Sequence, residues 1–148
     1  MTSGEGDGAD ASARALLVML AEVNSQMMTL RDILVSNPAT GAVTKACEPW
    51  RYPGGGEWRT EEEYRFEWHV EAETRAGEVF CWSLDIIPTP TGWRLERSIS
   101  KQFDGGAAAV DGFEFEDAEF KNFDALVREY PALMIEFLES AKRFDFGV

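Results

Sequence analysis

The chain has 148 residues, 45% of them hydrophobic, and a formal net charge of -13. That length and apolar content suffice for one ordinary domain that buries roughly two-thirds of its unfolded surface without disulfide or metal staples. A field of that sign repels phosphate, which excludes nucleic acid and anionic membranes as expected partners and favours cationic proteins.

Residues 1–10, rich in Gly, Ser and Asp, read as a disordered lead-in to a single domain over 11–148. The apolar run Ala15–Ala21 is no targeting segment, because acidic Glu5, Asp7 and Asp10 precede it and seven residues fall far short of the ~20 that cross a bilayer. From Ala11 to Val35 the apolar residues Leu16, Leu20, Val23, Met27, Leu30 and Leu34 step by four and three, which predicts one long helix. Asp10 or Ser12 is placed to cap its start, and Ser36-Asn37-Pro38 to end it. The same spacing is a heptad seam, but Met19 and Ile33 widen the stripe into one suited to packing across a sheet.

Between Ala39 and Trp58 the texture turns to Pro, Gly and aromatic residues, with Gly54-Gly55-Gly56 at the tip, and predicts a loop with one short edge strand near Val43–Glu48. No phosphate-binding spacing surrounds those glycines. Trp50, Tyr52 and Trp58 are expected to pack over the end of a sheet. Glu62–Glu73 then alternates fully: Tyr64, Phe66, Trp68, Val70 and Ala72 on one side, Glu63, Arg65, Glu67, His69, Glu71 and Glu73 on the other, the pattern of a half-buried antiparallel strand.

Ala76-Gly77 offers a hairpin turn into a second strand over Glu78–Ile87, with Phe80, Trp82, Leu84 and Ile86 in phase. After Pro88-Thr89-Pro90-Thr91-Gly92, a third strand carries Trp93, Leu95, Ile99 and Phe103 inward. Arg97 and Lys101 share that phase, which predicts a strand that outruns the core or bulges. A fourth strand is expected at Gly112–Glu116, where Phe113 and Phe115 alternate with Glu114 and Glu116. Asn122 or Asp124 then caps a helix that Pro131 kinks or divides, with Leu133, Met134, Phe137, Leu138 and Ala141 as its apolar face. The expected class is α+β: a long N-terminal helix, an antiparallel meander of about four strands, and a C-terminal helical pair packed on one sheet face.

Chemistry-bearing groups are few. His69 is the single histidine, set between Glu67 and Glu71, with Cys81, Ser83 or Asp85 within reach from the second strand. One histidine without spaced partners predicts no metal site and no cofactor. The many carboxylates fall in wet phases rather than apolar pockets, so no acid–base pair and no enzyme is expected. Cys47 and Cys81 are expected to remain reduced thiols in a cytoplasmic protein.

Charge is the more informative signal. Glu57–Glu73 holds seven acids against two arginines and Asp104–Asp124 seven against one lysine. The expected partner-binding residues are therefore Glu63, Glu67, His69, Glu71, Glu73, Asp85, Glu114 and Glu116, facing a basic protein. In size and acidity the chain resembles bacterial toxin inhibitors of the immunity type, a likeness that no motif carries and that implies a cap on a basic toxin, by a monomer or a weak dimer through the N-terminal helix. The alternatives are a dimeric secretion chaperone or adaptor, and a ligand-binding or enzymatic domain with a pocket lined by Trp68, Trp82 and Phe137.

Overall fold

Alternating apolar residues and tight turns at Gly77 and Gly92 fold the middle of the chain into a meander, and the two amphipathic helices close over one of its faces. The computed structural model describes residues 3–51 and 65–146. The element order is α1 (Ser3–Val35), β1 (Thr40–Arg51), β2 (Arg65–Thr74), β3 (Val79–Thr89), β4 (Gly92–Phe103), β5 (Gly106–Ala109), β6 (Ala118–Phe120) and α2 (Phe123–Lys142). The strands run β1-β2-β3-β4-β5 across an antiparallel sheet, and β6 also pairs with β4. The α+β class is as expected, with more strands than the four predicted and one closing helix instead of two.

Helix α1 begins at Ser3 instead of near Asp10 or Ser12, so the polar lead-in is helical. It ends at Val35, where Ser36 Oγ bonds to the Asp32 carbonyl at 2.9 Å and Thr40 Oγ1 to the Leu34 carbonyl at 2.8 Å. The former heptad seam faces inward: Val23, Met27, Leu30 and Leu34 are fully buried in the core.

Strand β1 spans twelve residues rather than the short edge strand predicted, pairing with β2 through register shifts near both ends. Tyr52, the three glycines, Trp58, Glu63 and Tyr64 lie outside the described residues. In β2 and β3 the predicted phase holds. Trp68 opposes Leu84 and Val70 opposes Trp82, and all four side chains are buried on the helix-covered face. Between β2 and β3, Gly77 takes φ +90. Gly92 opens β4 at φ +154, and a Cβ there would meet the Phe120 carbonyl oxygen at 2.0 Å, so β6 can lie against this turn only because the side chain is missing.

The expected bulge in β4 is absent. Its register with β3 runs unbroken from Thr89↔Gly92 to Val79↔Gln102. Arg97 instead stays in the inward phase, and its cation is met by α2 and by the preceding chain. It donates to the Leu133 carbonyl at 3.2 Å, Glu136 Oε1 at 3.1 Å and the Glu116 carbonyl at 3.4 Å, and its guanidinium lies 4.8 Å from the Phe115 ring centre. Lys101, farther along, is half-exposed and pairs with Glu78.

The predicted strand at Gly112–Glu116 does not form a ladder. Its alternation is real, with Phe113 and Phe115 half-buried and Glu114 and Glu116 exposed, but the rings pack on the C-terminal helix and tail, beyond reach of a strand partner. Asn122 caps α2 by accepting from the Ala125 amide at 2.8 Å. Pro131 sits inside one continuous helix, which must forgo the bond its missing N–H would make. Beyond α2, Phe144 and Phe146 fold back as buried rings against Phe80 and Trp82.

Candidate interaction surfaces

The helix-free face of the sheet carries most of the predicted partner-binding residues, and the register explains its chemistry. Glu67 opposes Asp85, and Asp85 opposes Glu96, so β2, β3 and β4 set three carboxylates in one row. Like charges placed directly opposite repel. Two arginines relieve the row: Arg65 Nη1 donates to Asp85 Oδ2 at 2.6 Å and lies 3.7 Å from Glu96 Oε1, and Arg94 Nε donates to Glu96 Oε2 at 2.8 Å. Glu67 is met by His69, whose Nε2 lies 2.6 Å away.

This face is not the open acidic surface the sequence predicts. The Glu67 side chain is 7% exposed and that of Asp85 14%. Burial, and then the Glu67 charge, push the Asp85 carboxyl up to about 6 against the opposing pull of Arg65. Glu71 and Glu73, nearer the hairpin, are exposed. Glu63 lies outside the described residues.

A second chain of contacts starts at the same histidine. His69 Nδ1 lies 3.2 Å from Ser83 Oγ, which lies 3.4 Å from Cys81 Sγ. With Nε2–H given to Glu67, Nδ1 can accept from the Ser83 hydroxyl, which in turn can accept from the thiol. His69 and Ser83 are a directly opposed cross-strand pair, so the arrangement follows from register alone. Cys81 is a free, buried thiol whose pKa burial raises, which keeps it protonated and weakly nucleophilic. Among the described residues no group of His, Cys, Asp or Glu is arranged to hold a metal ion.

Glu114 and Glu116 sit elsewhere, on the segment that skirts β4 on the α2 side. Between β5 and β6 this stretch presents Asp111, Glu114, Glu116 and Asp117, continued by Asp104 before it and Glu119 in β6, all exposed. None forms a side-chain ion pair among the described residues. Phe113 and Phe115 anchor the segment from beneath, through Phe144 and Phe137, and Arg143 lies 4.5 Å over the Phe113 ring. The predicted partner-binding residues are thus divided between two places: Glu67, His69, Asp85, Glu71 and Glu73 on the sheet face, and Glu114 and Glu116 on this ridge. Sequence counting missed the neutralising role of Arg65, whose partner Asp85 lies across the strands and depends on register, and that of Arg94, which meets Glu96 two residues on along the same face of β4.

Trp68, Trp82 and Phe137, the proposed pocket lining, are core residues at 1%, 0% and 0% exposure. The clefts at the ends of the fold have other walls. One of about 470 Å³ lies between the start of α1 and Trp93, and one of about 480 Å³ lies beside Pro38, Thr74 and Phe146. No described helix is long and apolar enough to cross a membrane. Comparisons with protein-family models, with curated proteins and with solved structures find no match to this chain.

Proposed function

We propose that the chain is a binding module for a basic protein, of the inhibitor type, and that it engages its partner through the acidic ridge of residues 104–119 rather than through the β2 face. The observation that carries this reading is the contrast in charge compensation. On the sheet face Asp85 and Glu96 are met by Arg65 and Arg94, and Glu67 by the His69 ring, whereas Asp111, Glu114, Glu116, Asp117 and Glu119 stand exposed without ion pairs among the described residues. Uncompensated carboxylates on a braced segment keep their field for an incoming cation and lose little order on docking.

A toxin is one basic partner that fits. The test is capture on immobilised protein at low salt, followed by association kinetics with the captured species. The reading expects a basic partner whose association rate falls steeply between low and high salt. A neutral or acidic partner, or a rate indifferent to salt, would overturn it.

A further inference from the structure

The opposite edge of the sheet has the reverse character. Strand β1 is the terminal strand, and no described strand pairs with its outer side. Helix α1 lies over β1 and β2 and alongside α2, which itself covers β4 and β6. At about 100° per residue, Leu17, Ala21, Asn24, Met28, Arg31 and Val35 share one stripe of α1, about 120° round from the buried Met19–Leu34 face. Glu22, which accepts a hydrogen bond from Tyr130 of α2, lies on the other flank. The stripe therefore faces the β1 edge. It is apolar and open, with Leu17 66% exposed, Met28 38% and Val35 54%.

We propose that this edge is where two copies of the chain meet, β1 pairing antiparallel with the β1 of a second copy and the Leu17–Val35 stripe packing on its counterpart. Geometry brings both contacts together. With strands about 4.8 Å apart, the two-fold axis lies about 2.4 Å outside β1, and a helix seated over β1 and β2 lies about 5 Å from it. The two α1 helices then run side by side about 10 Å apart, the distance at which helices pack.

Charge selects a second copy as the occupant. On a chain of net charge -13 most surfaces repel their own kind, yet the one charged residue of the stripe, Arg31, is paired with Asp32 at 3.7 Å and Thr40–Thr44 of β1 carries no charge, so this edge has no net charge to oppose its own copy. Pro49 confines the new ladder to Thr40–Glu48. The acidic ridge borders the far edge, so a dimer leaves both ridges free at its two ends.

Light scattering of the full chain during gel filtration tests this. The expected mass is twice the 16.6 kDa of the protomer, falling to one protomer in the Leu17→Glu/Met28→Glu variant with its circular dichroism unchanged. Ile135→Glu, at an exposed site on α2, should stay dimeric. Hydrogen exchange of the unaltered protein gives a second readout: amides of Thr40–Glu48 should exchange severalfold faster on dilution to the monomer. A wild-type monomer, a double variant that stays dimeric, or β1 exchange independent of concentration would each overturn the proposal.

Discussion

The two acid-rich stretches of this chain, similar in composition, meet opposite fates in the fold. On β2 the acids enter a sheet in which Arg65 and His69 of the same strand and Arg94 of β4 meet the carboxylates, and Glu67 and Asp85 become members of a half-buried network. Between β5 and β6 the acids alternate with Phe113 and Phe115, whose rings turn toward α2, and the carboxylates are left in water. A count of charges along the chain does not separate a structural acid from an available one. Cross-strand register does.

The comparison can be broken most forcefully at the core that holds the sheet in register. Trp68→Ala removes a fully buried ring beside Leu84 and should cost about 3–5 kcal/mol. Chemical denaturation measures this, and an unchanged midpoint would mean that β2 faces the other way.

Asp85 sharpens it next. Because its folded carboxyl is raised to about 6 from 3.8, the native state holds the proton more tightly than the unfolded chain. Stability contributed by this group is therefore greatest below about pH 4 and is lost as pH rises through 6. Asp85→Asn keeps an acceptor for Arg65 and should recover at most about 3 kcal/mol at pH 8 and almost nothing at pH 4. Paired thermal melts at the two values check the sign.

Arg97 tests the brace beneath the ridge. Arg97→Ala strips donors from the Leu133 and Glu116 carbonyls and from Glu136, at a cost of about 1–3 kcal/mol. Proteolysis should then cut first between residues 110 and 117. Cleavage elsewhere at an unchanged rate would show that the aromatic anchors suffice.

Much of this architecture was legible beforehand. The alternation of Trp68 and Trp82, the stop at Pro38, the turn at Gly77 and the Asn122 cap are local signals, and local signals survive into the fold. What was not legible depends on distant partners. Arg97 looked like evidence for a bulge because the carbonyls of Leu133 and Glu116 that receive it are remote in sequence. Phe113–Phe115 looked like a strand because alternation reports which side is buried and not whether a ladder exists. Phe144 and Phe146, after the helix ends, have no periodicity to announce them. For the candidate site, acidity was plain, but the pairing that separates Glu67 from Glu114 was not.

The smallest expected effect on stability comes from the most direct test of function. Glu71→Lys/Glu73→Lys and Glu114→Lys/Glu116→Lys make the same charge change on exposed residues, so each site should move stability by no more than about 0.5 kcal/mol. Association rates of the two variants with the captured basic partner, at low and at high salt, then compare the regions at equal net charge. The account predicts a rate close to that of the parent for the β2 pair, and a slower, less salt-sensitive one for the ridge pair. Equal slowing in both would reduce the acidity to a general field, and slowing in the β2 pair alone would return the binding surface to the sheet.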